Sequence, residues 1–295
     1  VGEARRAAAR RAGVGGATMI RCLAVLLAMT LAAGPALAQD ADPADSAVWK
    51  KVHESVFANA PIAAADGVVT LDTPKRAEDA AIVPVAIRSG FPQRSDRFIE
   101  TIWLIVDNNP SPIAAVFHFT TASGRADMET RIRVEQYTFV RAVAKTNDGK
   151  LFMAANYVKA SGGCSAPAGK DALAARASLG KMRIRVDDAN ASGKPVLAQL
   201  MISHPNDSGL AMDQVTRTYA QPHFVRQVDV SYAGKPVMRA DVDFSISENP
   251  NFRFYFVPGG GGDLEAKVVD NQDLAFATTM RLDATHSAAA SLAQS

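Results

Sequence analysis

Cysteine is nearly missing from this chain, whose 295 residues hold two, Cys22 and Cys164. No Cys-x-x-Cys pair exists, so a dithiol redox motif or paired thiolate zinc ligands have no basis in the sequence. Histidine is scarce as well, at five residues. None sits in a His-Glu-x-x-His run, and neither a Gly-x-Ser-x-Gly elbow nor a Walker loop occurs. These gaps remove the common zinc-protease, hydrolase and nucleotide-phosphate signatures. A surplus of one charge is also lacking, with 32 basic against 30 acidic residues. The apolar run from Leu23 to Ala33 is too short to cross a membrane.

The surroundings of that run read as an export signal. Residues 19–38, MIRCLAVLLAMTLAAGPALA, start with basic Arg21 and end on Ala36-Leu37-Ala38, a small-x-small cleavage site. Maturation is expected to leave Gln39 first and to deliver the protein to the periplasm. Residues 1–38 thus form an upstream extension and signal peptide, with Met19 as the expected start. Arg10-Arg11 lacks the Ser, Phe or Leu of a twin-arginine signal, and Cys22 lies too early for lipid attachment. Removing five arginines and one glutamate from the totals leaves 27 basic and 29 acidic residues, a net charge of −2. The mature form therefore offers no basic surplus for nucleic acid or an anionic membrane, and no membrane span. Its 257 residues suit one large domain or two of roughly 100–150. Cys164 remains as a lone thiol in an oxidising compartment, which suggests an intermolecular bond or a reactive sulfur.

What is present is period-two patterning. Asp45-Ser46 can cap a short helix with Trp49, Val52 and Val56 on one face and Phe57 beside them. Then follow VVTLD, AAIVPVAI, FIETIWLIVD, IAAVFHFT, METRIRVEQYTFVRAVA and KLFMAANYVKA, separated by turn residues such as Asp107-Asn108-Asn109-Pro110 and Asn147-Asp148-Gly149. The spacing predicts antiparallel sandwich strands. The pattern stops at Ser161. Residues 161–170 read as a loop, and Asp171 to Gly180 as one or two helical turns. Strands resume with MRIRV, whose Met182, Ile184 and Val186 face one way. DVDFSIS and NFRFYFV follow, placing Phe244, Ile246, Phe252, Phe254 and Phe256 in a second core. Trp103, Ile105, Phe117 and Phe119 belong around the first. Ala233-Gly234 marks a hairpin, Gly259 to Gly262 a loop, and residues 284–295 a disordered tail. The whole is all-β: two modules joined through the cysteine segment, with a short N-terminal helix.

The polar residues give little chemistry. His53 lies on the helix and His286 in the tail. His118 falls on the face opposite Phe117 and Phe119. His204 opens HPNDSG as a turn residue, and His223 begins a strand. A His204–His223 metal pair lacks further ligands at close spacing. Asp187-Asp188, Asp241/Asp243 and Asp270-Asn271 sit where turns and strand ends place them, and Asn108-Asn109-Pro110 reads as a turn. No metal or cofactor is expected. Cys164, in ASGGCSAPAGKD, is flanked by Gly162 and Gly163 and by no large apolar side chain. An inert small hydrophobe and a reactive thiol stand level on composition. An exposed thiol of ordinary pKa is roughly 3% thiolate at neutral pH, and Lys159 and Lys170 flank it.

LIVDNNPSPIAAVFHF, METRIRVEQYTFVRAVAKTNDGKLFMA and YVKASGGC resemble the SoxY half of the sulfur-oxidation carrier, whose chain closes with a Gly-Gly-Cys-Gly-Gly arm. LMISHPNDSGL, QPHFVRQVDVSYAGKPV, FSISENPNFRFYFV and KVVDNQ resemble the SoxZ half. The likeness spans about residues 60–283 and is to fused SoxYZ-like carriers associated with quinoprotein dehydrogenases. It implies two immunoglobulin-like sandwiches: a SoxY-like module with its helix over residues 39–163, a cysteine loop and linker over 164–180, and a SoxZ-like module over 181–283. It also implies a non-enzymatic carrier whose Cys164 holds sulfur intermediates covalently, on an arm made flexible by Gly162 and Gly163, for sulfur-oxidation enzymes or a quinoprotein dehydrogenase system. The alternative is an accessory or redox partner of such a dehydrogenase that carries no sulfur. Two departures stand out. Cys164 is internal rather than near a chain end, and Ser165-Ala166-Pro167-Ala168-Gly169 replaces the second glycine pair. A loop from Ala160 to Gly169 must enter a partner as two strands, which favours an open groove over a narrow channel.

Overall fold

The computed structural model describes residues 46–166, 177–187, 193–212 and 216–283. The expected export signal, Pro167 to Gly169, Lys170, most of the expected Asp171–Gly180 turns and the expected tail lie outside the described residues. Helix α1 (Ala47–Phe57) starts as expected, with the Ser46 hydroxyl accepting from Trp49 N–H at 3.2 Å. Trp49, Val52 and Phe57 bury its inner face against Trp103, Ile105 and Val143.

Among the described residues, fifteen strands follow. In the first half they are β1 (Ile62–Ala64), β2 (Val69–Asp72), β3 (Val83–Ser89), β4 (Ile99–Val106), β5 (Ile113–Phe119), β6 (Met128–Ile132), β7 (Thr138–Thr146) and β8 (Leu151–Val158). In the second they are β9 (Met182–Val186), β10 (Val196–Ile202), β11 (Val225–Tyr232), β12 (Lys235–Val242), β13 (Asn251–Phe256), β14 (Gly262–Asp270) and β15 (Ala275–Leu282). A nine-stranded sheet runs β1-β8-β7-β4-β5-β12-β11-β14-β15, and a six-stranded sheet runs β2-β3-β6-β13-β10-β9. All neighbours are antiparallel except β1 and β8. The fold is all-β, two sheets facing one another.

Both sheets pass through both halves of the sequence. Phe117 of β5 pairs with Ala240 of β12, and Met128 of β6 with Phe254 of β13. One apolar core therefore serves the two halves. Phe117 on one sheet meets Phe252 on the other with ring centroids 6.4 Å apart, and Tyr232 meets Phe256 at 5.2 Å. Phe252, Phe254 and Phe256 are fully buried, as their alternation requires, each worth roughly 1.5–3 kcal/mol of apolar burial. The Ala233-Gly234 hairpin also forms, with both residues at positive φ and Tyr232 opposite Lys235.

Three expectations need correction. METRIRVEQYTFVRAVA is not one strand. Its first part is β6 and its last part β7, in different sheets, with residues 133–137 crossing between them. Period-two alternation is the same in either sheet and cannot report the change. β12 ends at Val242, so Phe244 lies in a turn, half-buried against Phe224 at 5.8 Å. Trp103 and Ile105 face α1 rather than the main core, and Phe57 meets Trp103 edge-on at 5.1 Å.

Beneath α1 lies Arg141, fully buried. Its Nε and Nη2 donate to the two oxygens of Asp107 at 2.8 and 2.6 Å, and the Trp49 ring covers the guanidinium at 4.4 Å. A charge removed from water requires such pairing.

Candidate functional site

The chain leaves β8 along an edge. Lys159 N–H donates to Lys75 O, and Ala77 N–H to Lys159 O. Gly162 and Gly163 then add to the crossing segment, their N–H groups donating to Glu135 O at 2.9 Å and Val134 O at 3.0 Å. Gly163 is wedged: a Cβ there would lie 2.0 Å from Ala80 O and 2.7 Å from Val134 N. Gly162 has φ +82° with open space around it, so its lack of a Cβ serves conformation rather than packing.

Cys164 follows, and it is buried completely. This corrects the picture of a thiol on a bare stretch. The covering groups come from distant sequence, where composition around residue 164 could not show them. Glu135 accepts from the N–H groups of Cys164 and Ser165 at 2.8 and 3.1 Å and from the Ser165 hydroxyl at 2.9 Å. The Ser208 hydroxyl donates to Cys164 O at 2.5 Å. Arg133, itself buried, donates from Nη1 to Gly163 O and from Nη2 to Asn206 O, both at 3.2 Å. Asn109 braces the crossing: its Nδ2 donates to Arg133 O, and its Oδ1 accepts from Glu135 N–H at 2.9 Å. In this state Gly162 and Gly163 form a pinned connection, not a flexible arm.

Burial pushes the Cys164 thiol up to about 12. Glu135 and Asp243 push the same way, while Arg133 and a hydrogen bond with Ser245 oppose them. At neutral pH the thiolate fraction is then about one part in 10⁵, far below that of an exposed thiol. The closed sulfur is a poor nucleophile; the charges that act on it are Glu135, Asp243 and Arg133, while Lys170 lies outside the described residues. Nothing in the local sequence marks Arg133, Glu135, Ser208 and Ser245 as neighbours of Cys164. The one signal available was a pair of charges, Arg133 and Glu135, closing a strand pattern.

The segment over the cysteine loop is HPNDS, residues 204–208. Asn206 is fully buried and pinned by Val225 N–H on its Oδ1 and by Ile246 O on its Nδ2. His204 meets His223 with ring centroids 4.5 Å apart, and both approach one oxygen of Asp270, at 3.5 and 2.7 Å. Asp270 is thus a third group beside the pair, although the Asp270-Asn271 sequence by itself predicts only a turn. The three offered ligand atoms lie within 4.8 Å of one another, a spacing compatible with a metal. The hydrogen bonds oppose one. Asn206 N–H donates to His204 Nδ1 at 3.1 Å, so in the neutral ring Nε2 keeps the proton and has no lone pair for an ion. Asp270 Oδ1 already accepts from Gln272 and Leu274 N–H. The trio is a closed hydrogen-bond network. Burial, with His223 alongside, lowers the His204 pKa to about 4. For Asp270, burial alone would raise the pKa, but the bonds from His223, Leu274, Gln272 and His204 bring it below the ordinary value.

The cysteine loop is held by Glu135 and Arg133 from one half of the chain and by Ser208 from the other. The comparisons divide the chain at the same place. Residues 53–164 match the family described as sulfur oxidation protein SoxY, and residues 183–281 match sulphur oxidation protein SoxZ. The chain is a fused SoxYZ-like protein. Among solved structures, the sulfur carrier protein SoxY from Chlorobium limicola f thiosulfatophilum is 23% identical, over 38% of this chain and 90% of that one, with a TM-score of 0.31. A superoxide reductase (neelaredoxin) from Ignicoccus hospitalis is 16% identical, over 32% of this chain and 82% of that one, with a TM-score of 0.29. A search of curated proteins found no match. In the SoxYZ-like fusion the SoxY match ends on Cys164 itself.

Proposed function

We propose that this protein is a non-enzymatic periplasmic carrier that holds sulfur intermediates covalently on Cys164 for sulfur-oxidation enzymes. The observation that carries the reading is the end of the SoxY match at Cys164, at the seam where both halves grip one loop. The closed form is the resting form. Loading requires residues 162–165 to leave Glu135, Arg133 and Ser208, and its rate is reduced by the fraction of time the loop is open. The export signal before Gln39 supplies the periplasmic setting.

A second reading is favoured by the burial of the thiol: an accessory partner of a periplasmic quinoprotein dehydrogenase that carries no sulfur. The two are separated by the intact mass of protein from the exported fraction, before and after reductant, during growth on a reduced sulfur source. The carrier reading expects reducible added mass, absent from Cys164→Ser. A bare thiol throughout, under that feeding, rejects it.

A further inference from the structure

Three charged side chains act on the thiol, Glu135, Asp243 and Arg133, and the two that hold the loop differ in completeness. Glu135 has partners on both oxygens, which take three hydrogen bonds from Cys164 and Ser165. Arg133 is less complete. Its terminal nitrogens reach two carbonyls, but its Nε–H is buried with no partner. A buried donor without an acceptor is costly and uncommon in folded proteins. It marks a place where an acceptor is wanted.

Nothing can be added to the sulfur while the loop is shut. Cys164 is fully buried, and Gly163 is wedged against Ala80. One neighbour must move. Arg133 is held, 3% exposed and tied to both Gly163 and Asn206. Glu135 is only half-buried, so its carboxylate can swing into water, where it is well solvated. The sign of the added group then decides the outcome. A negative group is repelled by Glu135 and matched to Arg133, and a positive group the reverse.

We propose that Glu135 is a latch that closes the empty loop, and that an anionic group attached to Cys164 displaces the latch and takes the free Nε–H of Arg133. Its use in carriage rests on Cys164 bearing cargo; the latch itself does not.

The test uses the full mature protein and three methanethiosulfonate reagents that add a methylthio, a sulfonatoethylthio or a trimethylammonioethylthio group. In each case the Cys164 thiolate attacks the sulfenyl sulfur and a disulfide forms. Methanesulfinate leaves with the electron pair, and the thiol proton goes to solvent. Glu135→Gln is expected to label at least tenfold faster than wild type with the neutral reagent. The wild-type anionic adduct is expected to melt above the cationic one, and Arg133→Gln to erase that order. Equal labelling of wild type and a folded Glu135→Gln, or a cationic adduct at least as stable as the anionic one, would overturn the proposal. Should Glu135→Gln not fold, the order of the two wild-type adducts decides alone. A bare thiol in exported protein alongside the expected adduct order would reject carriage and leave the latch standing.

Discussion

Arg141 and Arg133 are both buried arginines in the same half of the chain, and they are partnered in opposite ways. Arg141 has a two-pronged carboxylate partner in Asp107 and an aromatic lid in Trp49. Arg133 has two carbonyls and a vacant Nε–H. A charge so fully matched as Arg141 is cemented in place, holding α1 to the sheet. A charge left incomplete beside a thiol stays available. The comparison teaches that burial alone does not separate structure from function; the state of the partners does.

The contrast can be broken most strongly at Arg141. Asp107→Ala strands its charge in an apolar setting, and about 3–5 kcal/mol of stability should be lost on chemical denaturation. Next comes pH. The folded form refuses a proton at His204 until pH falls to about 4, whereas the unfolded chain takes it from about 6.5 downward. His204 therefore contributes stability that is complete above pH 6.5 and lost as pH falls towards 4. Asp270, whose pKa is lowered, adds a loss of the same sign at lower pH. The unfolding midpoint should decline across this window by about 1–3 kcal/mol in equivalent stability, and His204→Asn should flatten the slope. The smallest effect is expected at Arg133. Arg133→Met removes two bonds to carbonyls but also a buried donor with no partner, so the net loss should be about 1–2 kcal/mol. A loss larger than that of Asp107→Ala would mean that Arg133 is structural cement too.

The strands were legible because side chains alternate. Phe252, Phe254 and Phe256 announce a one-sided burial that the six-stranded sheet provides. Ser46 and Ala233-Gly234 are equally local signals. What could not be read was any feature set by which sheet a strand enters. Val134 and Glu135 look like one more step of alternation, yet they lie on the crossing between sheets, and the carboxylate reaches Cys164 across 29 residues of sequence. Ser208 reaches it across 44. Glycine, serine and alanine around Cys164 suggested exposure because small side chains bury nothing themselves. They also let other segments close over them, as Gly163 does under Ala80.

The pairing of β5 with β12 and β6 with β13 has a consequence for dilution. Severed between residues 164 and 181, each half would present unpaired strand edges and half of an apolar core, surfaces that recruit neighbours indiscriminately. Reassembly would depend on the concentration of both pieces. Held on one chain, the second half meets the first at an effective concentration of order millimolar, however few copies are present. One chain thereby keeps the two halves together at any dilution, and the seam that encloses Cys164 cannot drift apart.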